Sequence, residues 1–562
     1  MIKRFLKNNT GIDADSPEYR GCAGWIKLIS SLAFAAAAFF YLIAAGMFLP
    51  LYLPGYKTLG TDKSLFWIGS LKITLWIFLA AFSLHVISRI VWLLTEDAPL
   101  LRFSIPELKK HIGIHEVFTV LFAVCVIISY VLSSRKDIAL FGESNWYVGA
   151  WEYLALCICM LVIGRTALSG RIFTGVILVS SIAVYAAGII IDLARNRLDI
   201  DGLDGSKVST IGNPNWFCGY MVCVLFLPAA VYMIREKKTE KDTRVISILC
   251  MICFLAGAYS FFAQGSLSAF PAAYAVLLVL LVFSEHDLYR LKKISELTTL
   301  FITAGLMHAM AVMLGIREGS GDALTRFVCG VPFLLFLFAV SAIIMFVIRK
   351  KVQDGNTSTR FHIGRITLMV SCIAVLLYAL TVTINTVSGG VLGTGPVLYF
   401  GDEWASYRGI TTSTGLTLFG GMTVREKFFG TGPDTFYSLI YSGRYPLLAA
   451  KVTESFGGAR LTNAHSEPVT MLVNTGLLGT AAFYGILISL FMTLFRAARK
   501  TDRDNADARS YRTAALIAAL GIAAYAVNNL FSFQTAMNLS QLSLLAGFGA
   551  SAVRMLSGTE DK

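Results

Sequence analysis

Charge is what this sequence has least of. Only 15% of its 562 residues are Asp, Glu, Lys or Arg, against roughly 25% in an ordinary soluble domain. Too few charges to solvate a folded surface exclude a soluble enzyme, a disordered tail and a nucleic-acid reader. Paired cysteines in a polar context are also missing. Of ten cysteines, Cys125, Cys157, Cys159, Cys218, Cys223, Cys250, Cys253, Cys329 and Cys372 lie in or against apolar stretches, and Cys22 alone sits in a polar one. The Cys250/Cys253 pair has zinc-like spacing but lies mid-span without a second pair or a nearby histidine, so it reads as core packing. Clusters of His, Cys and Asp at ligand spacing are absent, which argues against a metal centre.

What the chain has instead is apolar length. Hydrophobic residues make up 56% of it, and the mean hydropathy is +0.66. A membrane-spanning helix needs roughly 20 mostly apolar residues. Runs of that kind occupy 25–49, 67–94, 116–133, 151–168, 172–192, 215–234, 245–263, 266–284, 294–315, 326–348, 366–386, 468–496, 513–532 and 538–556. The expected fold class is therefore all-α, a polytopic membrane helix bundle of about 14 transmembrane helices. The weakest boundary is Gln264-Gly265-Ser266, which alone splits 245–284. The first run follows a long polar lead without a cleavage-like end and reads as an anchor.

The net charge of +13 suits basic residues held on the cytoplasmic side of a membrane. With Lys3, Arg4, Lys7 and Arg20 inside, the segments Arg235-Glu236-Lys237-Lys238, Arg349-Lys350-Lys351 and Arg496–Arg512 fall on the same side. Both termini are then cytoplasmic, in a multi-pass plasma-membrane protein. One connection breaks the rhythm of short loops. Residues 387–467 form an extracytoplasmic loop between helices 1–11 (1–386) and helices 12–14 (468–562). A connection this long is functional or disordered, and this one is too aromatic for disorder. It is expected to fold as short helices on the outer face.

Within it, Thr462-Asn463-Ala464-His465-Ser466-Glu467-Pro468 leads into the twelfth span. His465 is the one histidine on the outer side of this topology: His111, His115, His286 and His362 fall inside, and His85 and His308 within spans. Imidazole suits proton transfer near neutral pH, and Glu467 is near enough in sequence to tune it. Capping a helix at the membrane interface is the competing role. The outer arginines Arg408, Arg425, Arg444 and Arg460, with Arg195 and Arg197 in the loop 193–214, offer a planar bidentate grip on phosphate. Lipid headgroup contact would use the same residues. Asn213 and Asn215, in Ile211-Gly212-Asn213-Pro214-Asn215-Trp216, either cap a helix or face a substrate. Gln264, Asn528, Asn529 and Gln534 are intramembrane polar groups of the kind that face a bundle interior or cavity.

In order along the chain, Gly212-Asn213-Pro214-Asn215, Gly265-Ser266, Arg408, Gly430-Thr431-Gly432-Pro433-Asp434-Thr435-Phe436, Ala464-His465-Ser466-Glu467 and Asn474-Thr475-Gly476-Leu477-Leu478-Gly479 resemble the O-antigen ligase/polymerase superfamily. These are integral-membrane glycosyltransferases with a Wzy_C-type core. The resemblance covers about residues 205–500. It implies metal-independent, cofactor-free, inverting glycosyl transfer at the outer face, in polymerisation or ligation of cell-surface polysaccharide. The implied partners are a lipid-linked oligosaccharide donor on undecaprenyl diphosphate, a glycan or lipid acceptor and membrane lipids, with no nucleic acid. It maps the family's loop histidine to His465 and its loop arginine to Arg408. Glu467 joins them as a catalytic candidate, with Arg425, Arg197, Asn213, Asn215, Arg460 and Gln264 as substrate-binding candidates. Members commonly carry an arginine after the Gly-Ser step, where this chain has Leu267, so Arg197 or Arg425 is left to supply that contact. The rival class is a transporter or flippase for a lipid-linked or small anionic substrate, and the third a non-catalytic scaffold. Short outer loops and charged pairs within spans, typical of transporters, are not evident; Lys72 and Arg89 are among the few intramembrane charges.

Overall fold

The structure is a computed structural model that describes residues 10, 12–95, 112–143, 147–194, 208–235, 241–264, 266–316, 323–358, 362–500 and 506–558. Among these residues every regular element is helical, and the one β-bridge joins Val208 and Gly212. In chain order the principal helices are α1 (Gly21–Ile43), α2 (Leu59–Thr95), α3 (Ile114–Leu132), α4 (Ala150–Arg165), α5 (Gly170–Ala194), α6 (Pro214–Val224), α7 (Leu227–Ile234), α8 (Lys241–Gln264), α9 (Ala269–Phe283) and α10 (Leu288–Met313). They continue as α11 (Val331–Gln353), α12 (Ile363–Val387), α13 (Trp404–Gly420), α14 (Val424–Phe429), α15 (Phe436–Ile440), α16 (Pro446–Ser455), α17 (Glu467–Asn474), α18 (Gly476–Arg499), α19 (Ala506–Asn528) and α20 (Ala536–Gly558).

Twelve helical stretches among the described residues are long and apolar enough to cross a membrane. Two of the fourteen apolar runs give shorter helices. α4 has 16 residues and α9 has 15, about 24 and 22 Å at 1.5 Å per residue. α9 begins late because the chain turns after Gln264, whose side-chain oxygen accepts from the Ser266 N–H at 2.8 Å.

Burial ranks the helices. In the most apolar window, 89% of the α6–α7 residues, 72% of α19 and 78% of α20 are buried, against 6% for α11 and for α12. α19 owes its place to small side chains, which let backbones approach closely. α19 carries Ala514, Ala515, Ala518, Ala519 and Gly521; a Cβ on Gly521 would lie 2.8 Å from the Cys223 carbonyl oxygen. α19 packs against α5, α6, α7, α9, α18 and α20. The outer helices present large apolar side chains, such as Phe336, Phe346, Val375 and Leu376, on exposed faces, as lipid-facing helices do.

Charges inside the bundle are satisfied locally. Lys63 Nζ donates to the Leu49 and Pro50 carbonyls at 2.6 and 3.2 Å, where the helix continuing α1 ends and leaves acceptors unpaired. Lys293 likewise donates to the carbonyls of Tyr232, Met233 and Arg235 at the end of α7.

The long connection folds, as its aromatic content predicts. α13–α16 surround a small core of Leu418, Met422, Phe436, Ile440, Val452, Leu461 and Ala464, closed by Val473 of α17.

Candidate functional site

The site is organised by the short link between α19 and α20, two of the most buried helices. Thr535 and Asn538 fix the start of α20: the Thr535 N–H donates to Asn538 Oδ1 at 2.8 Å and the Asn538 N–H to Thr535 Oγ1 at 3.3 Å, the reciprocal pattern of a capping box. Asn538 Nδ2 also donates to the Phe533 carbonyl at 2.8 Å. With the link held from behind, the long connection docks on it at three successive points. The Glu467 N–H donates to the Asn529 carbonyl at 2.8 Å. Arg408 Nε donates to the Phe531 carbonyl at 2.7 Å. The His465 ring meets the Phe533 ring edge-on, with centroids 5.0 Å apart. The three residues read as catalytic candidates are therefore brought to one seven-residue segment.

Each is held differently. Glu467 is fully buried, and its carboxylate accepts from Tyr525 Oη at 3.0 Å, Gln534 Nε2 at 2.6 Å and Asn529 Nδ2. Burial pushes this carboxyl up to about 7, against the pull of those three donors. Gln534 in turn accepts from Tyr153 Oη on α4. Beside this network lies a cavity of about 30 Å³ lined by Tyr153, Asp434, Asn463, Glu467, Phe533 and Gln534 among others, enough for a water or two. Asp434 accepts from the Glu143 N–H at 2.7 Å, and removal from solvent pushes its carboxyl up to about 7 as well.

His465 sits at φ +47°, in the left-handed region that non-glycine residues visit at a cost. The turn is held by its own N–H donating to Asn463 Oδ1 at 3.0 Å and by the Ala464 N–H donating to Thr470 Oγ1 at 3.0 Å. Its Nδ1 is buried without a hydrogen-bond partner. Desolvation, and then the positive charge of Arg408, lower its pKa to about 4, so the ring is neutral at pH 7 with a lone pair to offer.

Arg408 is presented by a more unusual device. Ala405, Ser406 and Tyr407 all have φ between +49° and +65°, at about 1–2 kcal/mol of strain per residue. This left-handed turn folds the chain back so that Arg408 Nη1 donates to the Ala405 carbonyl at 3.1 Å while Nε reaches Phe531. The guanidinium is within electrostatic reach of both His465 and Cys218.

Cys218 joins the site to the asparagines near α6. Asn213 caps α6 by accepting from the Asn215 N–H at 2.8 Å. Ser266 Oγ donates to Asn215 Oδ1 at 3.2 Å and lies 3.0 Å from Ser268 Oγ. Ser268 contacts Cys218, which donates to Asn528 Oδ1 at 3.4 Å, and Asn528 Nδ2 donates to Asn529 Oδ1 at 2.9 Å. Polar contacts thus run unbroken from Asn215 to Glu467. Gln264 joins through Ser266, and its Nε2 is buried without a partner.

The remaining candidates lie apart. Arg425 lines a different cavity, of about 200 Å³. Arg460 is exposed, donating to Tyr437 Oη at 2.6 Å and stacked over Tyr441. Arg197 lies outside the described residues. The sequence reading passed over Asp434 as a site residue, although it stands in the quoted Gly-Thr-Gly-Pro-Asp run. It also passed over Tyr153, Tyr525 and Phe533, which carry no local signal. A cluster invisible to sequence spacing stands elsewhere: Glu285, His286 and His362 bring possible ligand atoms within 4.8 Å of one another, with Arg365 Nε 2.9 Å from Glu285 Oε2.

The fold and site define a multi-pass helical membrane protein with a folded polar connection seated on the ends of its central helices. No family model matches the chain, and no curated protein matches it either.

Proposed function

We propose that this chain is a metal-independent, inverting glycosyltransferase that polymerises or ligates oligosaccharide carried on undecaprenyl diphosphate, with a glycan or lipid hydroxyl as acceptor. In this reading α4 and α9 complete a set of fourteen spans, both termini are cytoplasmic and residues 387–467 face outward. The reading is supported chiefly by one observation: a neutral His465 with an unpartnered Nδ1, beside an arginine anchored to the same link.

The acceptor hydroxyl gives its proton to His465 Nδ1, with Nε2 carrying the ring proton. Its oxygen bonds to the anomeric carbon from the face opposite the leaving group. The bond from that carbon to the diphosphate oxygen breaks, and the electron pair leaves with the diphosphate. Arg408 stabilises the charge that develops there. An imidazole held near 4 is a weak base, but the arriving diphosphate offsets the field of Arg408 and raises the ring towards the working pH. The proton then passes to the departing diphosphate or to water. Glu467, occupied by three donors, is a positioning residue in this scheme: it fixes the chain two residues beyond His465 to the α19–α20 link. Asn215 and Gln264 connect to this centre through Ser266.

The test is transfer from a polyprenyl-diphosphate oligosaccharide by purified protein in nanodiscs, wild type beside His465→Ala. General-base assistance is worth about 10²–10⁴-fold, and a loss of that size is expected. A folded His465→Ala protein working at the wild-type rate would sink the assignment. Movement of labelled lipid across a vesicle bilayer without any product would replace the enzyme reading with transport.

A further inference from the structure

The cavity of about 200 Å³ beside Arg425 is larger than the one at Glu467 and is separated from it by the turn 430–435. Asp434 faces the smaller cavity, whereas Gly430, Thr431 and Thr435 line the larger one. The turn cannot shift easily. Gly430 has φ +79°, and a Cβ there would lie 2.2 Å from the Asn474 carbonyl oxygen. The Thr431 and Gly432 N–H groups donate to the Val473 and Asn474 carbonyls, each at 3.0 Å.

Two kinds of group face this space. Arg135, Arg425 and Arg444 reach it from three separate stretches of chain, with Glu426 the one carboxylate among its lining residues. Arg135 is paired with Asp137, and Arg444 stands 3.4 Å from Glu426 and donates to the Gly421 carbonyl at 2.7 Å. The Arg425 guanidinium makes no hydrogen bond or ion pair with any described residue. Opposite stand hydroxyls whose protons are already committed. Ser438 Oγ donates to the Thr435 carbonyl at 2.9 Å and Ser442 Oγ to the Leu439 carbonyl at 2.8 Å, while Thr431 Oγ1 and Thr435 Oγ1 share a hydrogen bond at 2.7 Å, with the Val473 carbonyl 3.1 Å from the first and the Gly432 carbonyl 2.6 Å from the second. Each of these oxygens keeps lone pairs to accept with.

We infer that this cavity binds an anionic sugar. The guanidinium groups suit a carboxylate or phosphate substituent, and the acceptor-only hydroxyl oxygens suit the hydroxyl donors of a saccharide ring. An uncharged sugar leaves Arg425 unanswered, and a bare oxyanion leaves the hydroxyl wall unused. That the sugar belongs to the glycan substrate rests on the glycosyl-transfer reading; that the cavity binds it does not. Arg425 therefore serves a subsite beyond the turn, outside the His465 centre.

The experiment measures binding alone, by ligand-induced thermal stabilisation of the full-length protein in detergent. The probes are glucuronate, glucose 1-phosphate, glucose and inorganic phosphate, at millimolar concentrations and constant ionic strength. Expected is saturable stabilisation by glucuronate or glucose 1-phosphate, at least tenfold weaker in Arg425→Gln and in Arg444→Gln, with glucose inert. The two acids distinguish a carboxylate from a phosphate substituent. Inorganic phosphate as effective as either acid, or acids that stabilise Arg425→Gln as they do wild type, overturns the assignment. His465→Ala is expected to bind as wild type does. Anion binding that is weakened only in the two arginine variants, by a protein without transfer activity, would fail the enzyme reading alone, whereas transfer without anion binding would fail this one.

Discussion

Glu467→Gln tests the core of the site without assuming any reaction. Glu467 is 1% exposed, and burial raises its carboxyl from 4.5 to about 7 in the folded protein. Between those values the folded state holds a proton that the unfolded state has released. Stability therefore falls as pH rises through this window, by about 1.4 kcal/mol per unit. The contribution is fully present below about 4.5 and gone above about 7. From pH 5 to 7 the wild type should lose about 2 kcal/mol from this group, less than two full units' worth because the unfolded carboxyl is still partly protonated at pH 5 and the folded one half ionised at pH 7. Glu467→Gln cannot titrate, so it lacks that slope. Its amide faces Asn529, Gln534 and Tyr525 with one acceptor where the carboxylate had two, which costs about 1–3 kcal/mol. That cost is constant with pH, so the difference between the two proteins isolates the titration.

The assay is thermal unfolding in detergent, followed by tryptophan fluorescence at half-unit steps from pH 5 to 8. The apparent midpoint of the wild type should fall several degrees more across pH 5–7 than that of Glu467→Gln. Asp434 contributes in the same direction, so the variant keeps a residual slope that Asp434→Asn should reduce further. A difference that stays flat, or that grows in favour of wild type as pH rises, would refute the reasoning. It would mean that the three donors outweigh desolvation and that Glu467 is ionised throughout.

Two further outcomes follow from the geometry. Because protonating His465 removes the base, transfer by the wild type should hold down to about pH 5 and fall with an acid limb near 4 in kcat/KM. Arg408→Gln removes a charge that lowers the histidine pKa, so the limb of the residual activity should move up towards 6.5; an unmoved limb would separate the two residues. Gly430 and Gly443 have similar φ, +79° and +82°, but a Cβ on Gly430 meets the Asn474 backbone whereas one on Gly443 meets nothing within 4 Å. Gly443→Ala should therefore cost about 1–2 kcal/mol, and Gly430→Ala more than about 3 kcal/mol, read as thermal midpoints in detergent.

How much of this was legible beforehand depends on the range of the interaction. Apolar runs are local, so the helices could be read from composition, and the aromatic content of 387–467 correctly indicated a folded connection. The two short helices were missed at their ends, where turns at Gln264–Ser268 and after Arg165 cut into apolar sequence that hydropathy alone continues. His465, Arg408 and Glu467 were legible as chemistry but not as geometry. The donors to Glu467 lie 58 to 67 positions away along the chain, and Tyr153 meets Gln534 across 381 positions. No local pattern encodes such pairings. Nor does anything in Ala405-Ser406-Tyr407 announce a left-handed turn, since none of the three is a residue that favours one. Arg135 and Arg425 share a cavity only because Ser133, Ala139 and Glu143 lie against the 430–435 turn.

The same distances explain why the connection and the bundle act as one unit. The core of α13–α16 with Val473 comprises eight buried side chains, too few to hold an isolated segment of about 80 residues together. Its order depends on the groups it places on the α19–α20 link: the Glu467 carboxylate and N–H, the Arg408 guanidinium and the His465 ring. Those groups are also the candidate chemistry. The strain at 405–407 and at His465 is tolerable because the link over-determines both positions. Weakening the link at Asn529 would release Arg408 and His465 together, so the histidine and its arginine partner stand or fall as one arrangement.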